Sequence, residues 1–483
     1  AIANIGAIAV PVLPGFCSTE LQNILEHAEV KVIFVSRLLA KCLEGVKTPF
    51  LEHKILINNF STIPEGCYQP EELDKLVPDI SLNNTTPLPK VSIEEEDIAS
   101  IIYTSGTTGF SKGVVLTHKN LVWDARQCHT IQPVDETYRF LSILPMAHTY
   151  ENTLGLLLPL MFGAQVYYLD RVPTPKLLVP AMQKIRPTVV LSVPLIIEKI
   201  YKSQVLPKFT SSKLMSKLYQ FAPARKLFNR LAGKKLMETF GGELKFFGIG
   251  GSKLDGTVEQ FLREAKFPYA IGYGLTETAP MAAGSNPSQT FLQGVGPVME
   301  GVQIKINDPD KSGQGEIWIK GPNVMKGYYK RPELTAETFT EDGWFKTGDL
   351  GSFDKKNRLA IRGRIKTMIL GASGENIYPE EIESIINNFR FVNESLVVEN
   401  SGKLVAMVHF NMEELEKQYQ KLKDQAGNYK EKINDYIEEQ KQELRDYVNA
   451  RVNNFSKLQL VLVQHEPFEK TPTHKIKRFL YCK

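Results

Sequence analysis

The chain has 483 residues, 42% hydrophobic and 23% charged, and 58 basic against 54 acidic side chains leave a net charge of +4. This is enough for roughly two to four cored domains and too weak a charge to argue for a nucleic-acid partner. The longest strongly apolar run, LGLLLPLMFG at 154–163, contains a proline and falls well short of the ~20 residues that span a bilayer.

The sequence starts at Ala1, inside the amphipathic pattern AIANIGAIAVPVLPG, as though a segment preceded it. Five scattered cysteines (Cys17, Cys42, Cys67, Cys128, Cys482) show no spacing suited to zinc and read as reduced thiols of a cytoplasmic protein. Apolar runs such as VKVIFV, IASIIY, TVVLSV and LKFFGIG alternate with helical periodicity, which predicts an α/β fold of mostly parallel sheets covered by helices. The stretch 199–236 carries ten Lys/Arg among leucine and aromatic residues and no acid. It offers a peripheral contact for anionic lipid headgroups at the inner face of a membrane, or else a helix pair whose basic side is merely solvated.

From about residue 295 the texture changes to short strands and turns, GVQIKIND, GQGEIWIKG and NRLAIRGR, which predict a β-rich subdomain over about 295–362. A boundary near 362–366 separates a large domain, 1–365, from a small α+β domain, 366–483. In the latter, Leu415, Tyr419, Leu422, Ala426, Tyr429, Ile433 and Tyr436 form one apolar seam on a charged helix, packed on its own domain or folded as a helical hairpin.

Several local patterns exclude themselves. DPDKSGQGEIWI at 308–319 imitates a calcium loop but ends on Ile319 instead of glutamate. GIGGSK and GYGLTE open like dinucleotide fingerprints but hold Lys253 and Glu277 where glycine is required. YTSGTTGFSKG at 103–113 gathers Thr104, Ser105, Thr107 and Thr108 with Gly106, Gly109 and Lys112, yet Ser111 stands where a Walker loop needs its second glycine. Hydroxyls, turn-permitting glycines and a lysine make a polyphosphate cradle, unless the stretch is only a polar surface turn.

Downstream motifs favour the cradle. GYGLTETAP at 272–280 offers Thr276 and Glu277, a hydroxyl and a carboxylate suited to a phosphate-bound Mg²⁺. GWFKTGDLG at 343–351 places Asp349 where it could accept both ribose hydroxyls of a nucleotide, or make only its own turn bonds. RGRIKTMILGASGENIYPEEIE at 362–383 and KTPTHKIKR at 470–478 complete the set. In this order the five stretches resemble the adenylate-forming superfamily of acyl-CoA synthetases, luciferases and peptide-synthetase adenylation domains. With LPMAHTYE at 144–151 they look most like bacterial long-chain fatty acid CoA ligases, whose chains normally carry several tens of residues before the point where this one starts.

The resemblance implies a two-step reaction. A fatty acid carboxylate attacks ATP to give acyl-AMP and pyrophosphate, and the thiol of CoA then displaces AMP. By resemblance, the loop from Thr104 through Ser105, Gly106, Thr107, Thr108 and Gly109 to Lys112 holds the β- and γ-phosphates, with Thr104 and Glu277 toward Mg²⁺. Thr276 and Glu277 serve the α-phosphate, Gly250, Gly251, Ser252, Tyr273 and Gly274 flank adenine, and Asp349 and Arg364 bind ribose. Lys475 reaches the reacting oxygens, although His474 stands where the commoner pattern has glycine. Lys366 is the hinge, and Gly374 lines the pantetheine tunnel after the small domain rotates. His148 orients the carboxylate or packs as a core histidine. The apolar segments near 145–160, 191–197, 247–252 and 272–282 suggest a long unbranched acyl group. Loading a carrier-protein phosphopantetheine, or binding fatty acid without catalysis, are the rival readings.

Overall fold

The computed structural model describes residues 2–78, 90–104, 111–169, 171, 173–210, 212–370, 376–400, 402–422, 429–471 and 475–482. Near the N-terminus β1 (Val32–Val35), β2 (His53–Leu56) and β3 (Ser61–Thr62) form a small sheet in which β1 and β2 run parallel. Next, β4 (Ile98–Thr104) and β5 (Lys112–Thr117) pair antiparallel, with Thr104 directly opposite Lys112. This corrects the expectation that IASIIY joins the parallel set. Residues 105–111 are too few for the crossover of about a dozen residues that parallel neighbours need.

The parallel sheet consists of β6 (Arg139–Ser142), β7 (Gln165–Tyr168), β8 (Val189–Ser192), β9 (Phe246–Ile249) and β10 (Tyr269–Gly274), with β11 (Met281–Gly284) antiparallel at its edge. Its order is β11-β10-β9-β8-β6-β7. Every residue of β8 is buried, as a strand covered on both faces requires. One cover is α1 (His118–Ile131), begun by a capping box in which Thr117 and Asn120 exchange side-chain and backbone bonds.

The basic stretch continues from a helix, Pro194–Ile200, through a π-helical turn, Tyr201–Val205, into α2 (Lys213–Gln220) and α3 (Ala222–Thr239). Its basic side is not simply solvated: Arg225 pairs with Glu264 at 2.8 Å on α4 (Gly256–Glu264). Among the described residues no helix is long and apolar enough to cross a membrane.

An antiparallel sheet follows, β12 (Gln303–Asn307), β13 (Gly315–Lys320), β15 (Phe345–Phe353) and β16 (Leu359–Arg364), while β14 (Gly327–Tyr328) returns to pair with β5. The calcium-loop imitation is its first hairpin turn, where the Asp310 carboxylate accepts from Ser312 N, Ser312 Oγ and Gln314 N. Beyond the short pair β17 (Ile369–Leu370) and β18 (Asn376–Ile377), a three-stranded sheet of β19 (Val392–Asn400), β20 (Lys403–Phe410) and β21 (Leu460–Val463) packs its own core with α5 (Pro379–Asn387). The apolar seam falls on two helices, α6 (Met412–Leu422) and α7 (Tyr429–Asn449), with the Tyr419 and Tyr436 rings 5.5 Å apart; Ala426 lies outside the described residues.

Candidate active site

Two adjacent strands supply the first pair. Asp349 on β15 is directly opposite Arg364, the last residue of β16, so their side chains leave the sheet on the same side. Arg364 Nε lies 2.9 Å from Asp349 Oδ1, and the Tyr273 hydroxyl donates to Oδ2 at 2.9 Å from β10. Burial pushes the Asp349 carboxyl up and Arg364 and Tyr273 pull it back, while Asp349 in turn raises Arg364. Burial is the larger influence on Asp349, so its carboxyl stays above the ordinary carboxylate value despite both partners.

After β10 the chain enters a one-turn 3₁₀ helix, Thr276–Thr278. Gly274 is required just before it, because a Cβ there would lie 1.7 Å from the Pro280 carbonyl oxygen. The same oxygen accepts from Leu275 N at 3.0 Å, closing a tight loop that presents Thr276 and Glu277. The Tyr328 hydroxyl donates to Glu277 Oε1 at 2.9 Å, and the ammonium of Lys112 stands over the Tyr328 ring at 5.1 Å. Burial and the charge of Lys366 lower the Lys112 ammonium, with Glu277 and Glu337 opposing. Thus the hinge-candidate Lys366 and the cradle-candidate Lys112 face the same space.

Lys475 arrives from the C-terminal segment, where its backbone exchanges bonds with Thr471. As a residue Lys475 is exposed, but protein groups crowd its ammonium within the cavity. Burial and Arg364 lower it, and Asp349 and Glu277 raise it, so all four groups share one electrostatic neighbourhood. His148, whose Nδ1 accepts from Tyr150 N at 3.3 Å, is held down to about 4 by burial and then by Lys475, and is therefore neutral near pH 7. Gly250, Gly251 and Ser252 follow β9, with Gly251 at φ +88° and the Tyr150 ring packed against Gly250.

A single cavity of about 2330 Å³ is lined by Thr104, Lys112, His148, Gly250, Gly251, Ser252, Tyr273, Gly274, Thr276, Glu277, Asp349, Arg364, Lys366 and Lys475. Ser105, Gly106, Thr107, Thr108, Gly109, Gly374 and His474 lie outside the described residues. Sequence reasoning passed over Tyr328, although GYYK at 327–330 repeats the glycine-then-tyrosine pattern of the other site turns. It also passed over Lys202 and Lys253 as site residues, reading one only as part of the basic stretch and the other only as the residue that spoils a glycine fingerprint.

Comparison with known proteins places the chain in a family. Residues 1–329 match the AMP-binding enzyme family. A peroxisomal long chain acyl-CoA synthetase 6 of Arabidopsis thaliana is 29% identical over 519 residues, covering 99% of this chain and 73% of the relative. Fatty acyl-CoA synthetase A of Dictyostelium discoideum is 26% identical, covering 99% and 77%. Among solved structures, ATP-bound MatB from Rhodopseudomonas palustris superposes with a TM-score of 0.72 at 21% identity, covering 99% of this chain and 84% of that one. The Bacillus subtilis o-succinylbenzoate CoA synthetase with its acyl-adenylate intermediate gives 0.71 at 21%, covering 99% and 83%. This chain, in which a C-terminal lysine lines the same cavity as the motif residues of the large domain, belongs to the AMP-binding enzyme family.

Proposed function

We propose that the protein is a fatty acid CoA ligase that activates a long-chain fatty acid with ATP to acyl-AMP and passes the acyl group to CoA. The observation that carries this reading is the entry of Lys475 into the cavity that already holds Asp349, Arg364, Glu277 and His148. A carboxylate attacking a phosphate builds negative charge on oxygen, and a fixed ammonium stabilises that charge without reorganisation. Asp349 and Arg364, locked to each other across β15 and β16, would orient the nucleoside end. Lys112, at the end of β5 and opposite Thr104, would balance the outer phosphates. Neutral His148 can donate or accept a hydrogen bond to the substrate carboxylate without adding charge.

Mg²⁺ is ordinarily held by one or two carboxylates plus substrate phosphates. Glu277, fixed through Tyr328, would hold it with Thr104 nearby, and the ion would neutralise charge on phosphate oxygens. For the acyl chain, Cys128, Ile131, Phe246, Ile271, Met281 and Val295 supply an apolar part of the same cavity. The names of the plant and amoebal relatives support the same substrate class.

The test is incubation with MgATP, CoA and C8 to C20 fatty acids, products being identified by mass spectrometry with Lys475→Ala as control. Acyl-CoA and AMP formed by the unaltered chain, and reduced roughly 10²- to 10³-fold in the variant, are expected. Accumulation of acyl-AMP with CoA ignored would redirect the proposal to a carrier-protein acceptor.

A further inference from the structure

Helix α5 has three working faces. Ile382 and Ile386 sink into the C-terminal core. Glu380 and Glu383 turn toward their own domain: Glu380 Oε1 accepts from the Thr367 hydroxyl at 2.6 Å, beside the candidate hinge, and Glu383 pairs with Arg478, three residues beyond Lys475. Glu381 and Ser384, also spaced by three, face the large domain, while the Asn387 side chain accepts from Ser395 Oγ at 2.8 Å within its own domain.

On that third face Lys253 Nζ lies 2.6 Å from Glu381 Oε1, and the Ser384 hydroxyl bonds to the Asp255 carboxylate. At the other end of the helix, Lys202 Nζ donates to the carbonyls of Asn387 at 2.6 Å and Val392 at 2.7 Å. Lys202 sits in the π-helical turn Tyr201–Val205, and burial lowers its ammonium to about 8 against the opposing charges of Glu414 and Glu198. A cation at the last carbonyls of α5 also meets the negative end of the helix dipole.

We infer that Lys202 and Lys253 are positioning residues that clamp both ends of α5 to the large domain, hold Lys475 in the cleft, and thereby set the balance between the two half-reactions. The inference rests on the ligase reading above. Lys202 is the stronger tie, since it makes two part-buried charged bonds, whereas Lys253 makes one, to a Glu381 side chain that is 37% exposed. It is also a tie that can open. Its partners are neutral carbonyls, so separation strands no buried carboxylate, and both sides rehydrate.

The experiment uses the full chain carrying Lys202→Met, Lys202→Arg, Lys253→Glu, or Lys253→Glu with Glu381→Lys. Adenylation is read by ATP–pyrophosphate exchange with a fatty acid, and thioester formation by supplying synthetic acyl-AMP and CoA. In Lys202→Met, exchange falls roughly tenfold while thioester formation is unchanged or faster. Lys202→Arg retains most of the exchange, and the Lys253/Glu381 reversal recovers what Lys253→Glu loses. Without any substrate, Lys202→Met speeds amide hydrogen exchange in segments 199–206 and 387–392. An equal fall in both half-reactions, no recovery on charge reversal, or unchanged amide exchange overturns the clamp. If the unaltered chain forms no acyl-AMP, the ligase reading fails, while amide exchange still decides the clamp.

Discussion

Glu151→Gln tests the electrostatics of the buried wall behind His148. Glu151 is 1% exposed at the start of a π-helical turn, Glu151–Leu157. Its Oε1 accepts from Ser142 Oγ at 2.5 Å, and its Oε2 has no hydrogen-bond partner among the described residues. Gly155 presses so close that a Cβ there would lie 2.6 Å from the carboxylate. Burial pushes the carboxyl from 4.5 to about 7, with the Ser142 bond opposing.

A raised carboxyl has its full stability below the unfolded value and loses it as pH rises. Between 4.5 and about 7 the unfolded chain releases the proton while the folded chain keeps it. From pH 5 to pH 8 this one group removes about 2.5 kcal/mol, at about 1.4 kcal/mol per pH unit between the two titrations. Glutamine keeps the shape and has nothing to titrate. With an unfolding entropy of about 2 cal/mol/K per residue, a chain of 483 residues changes Tm by roughly 1 °C per kcal/mol. The expected result is that the variant's Tm relative to the unaltered chain rises by about 2 to 3 °C on going from pH 5 to pH 8. Scanning calorimetry at the two pH values provides this double difference, in which all other titrating groups cancel. A double difference of zero would refute the argument that Glu151 is buried as a protonated acid.

Tyr328→Phe removes the hydroxyl that donates to Glu277 while leaving the ring beneath Lys112. A charge-assisted bond worth about 1.5 kcal/mol predicts about a tenfold rise in KM for MgATP in pyrophosphate exchange, and an unchanged KM would sink the assignment. Gly274→Ala places a methyl 1.7 Å from the Pro280 oxygen, so exchange activity should vanish; near-normal KM for ATP in that variant would contradict the close approach. Because burial and Arg364 lower the Lys475 ammonium from 10.5, kcat/KM for adenylation should fall at a lower alkaline pH than an ordinary lysine would give, and Lys475→Arg should shift that limb upward. His148, neutral above about 4, should add no inflexion near neutral pH, so His148→Asn leaving the profile shape unchanged is the expected outcome.

The residues most legible in the sequence were those whose chemistry is local. Gly274 and Glu277 sit in one turn, and Asp349 and Arg364 pair directly across neighbouring strands of a hairpin, so short motifs contain most of what places them. The antiparallel pairing of β4 was legible in principle from the seven-residue connection, but apolar strand composition outweighed it. A seam of apolar residues from 415 to 436 reads the same whether it lies on one rod or on two helices, since both bury the same stripe. Lys202 was illegible for a different reason. Its partners are backbone carbonyls 185 and 190 residues away, and a carbonyl leaves no trace in an amino-acid sequence.

These ties differ in what can release them. Within the cavity Lys112 is pressed by Lys366, and Lys475 by Arg364, with Glu277 and Asp349 the nearest counterweights. Bringing the C-terminal lysine into such company raises the electrostatic free energy unless an anion lies between the cations. On the ligase reading, ATP supplies that anion before adenylation and pyrophosphate carries much of it away afterwards. The partners of Lys202 and Lys253 are protein groups and not phosphates, so on this reading they act as a constant bias, and phosphate charge supplies the variable part. A clamp of moderate strength is then what alternation requires: much weaker, and Lys475 would seldom be in place for adenylation; much stronger, and the small domain would stay docked when the thiol must approach.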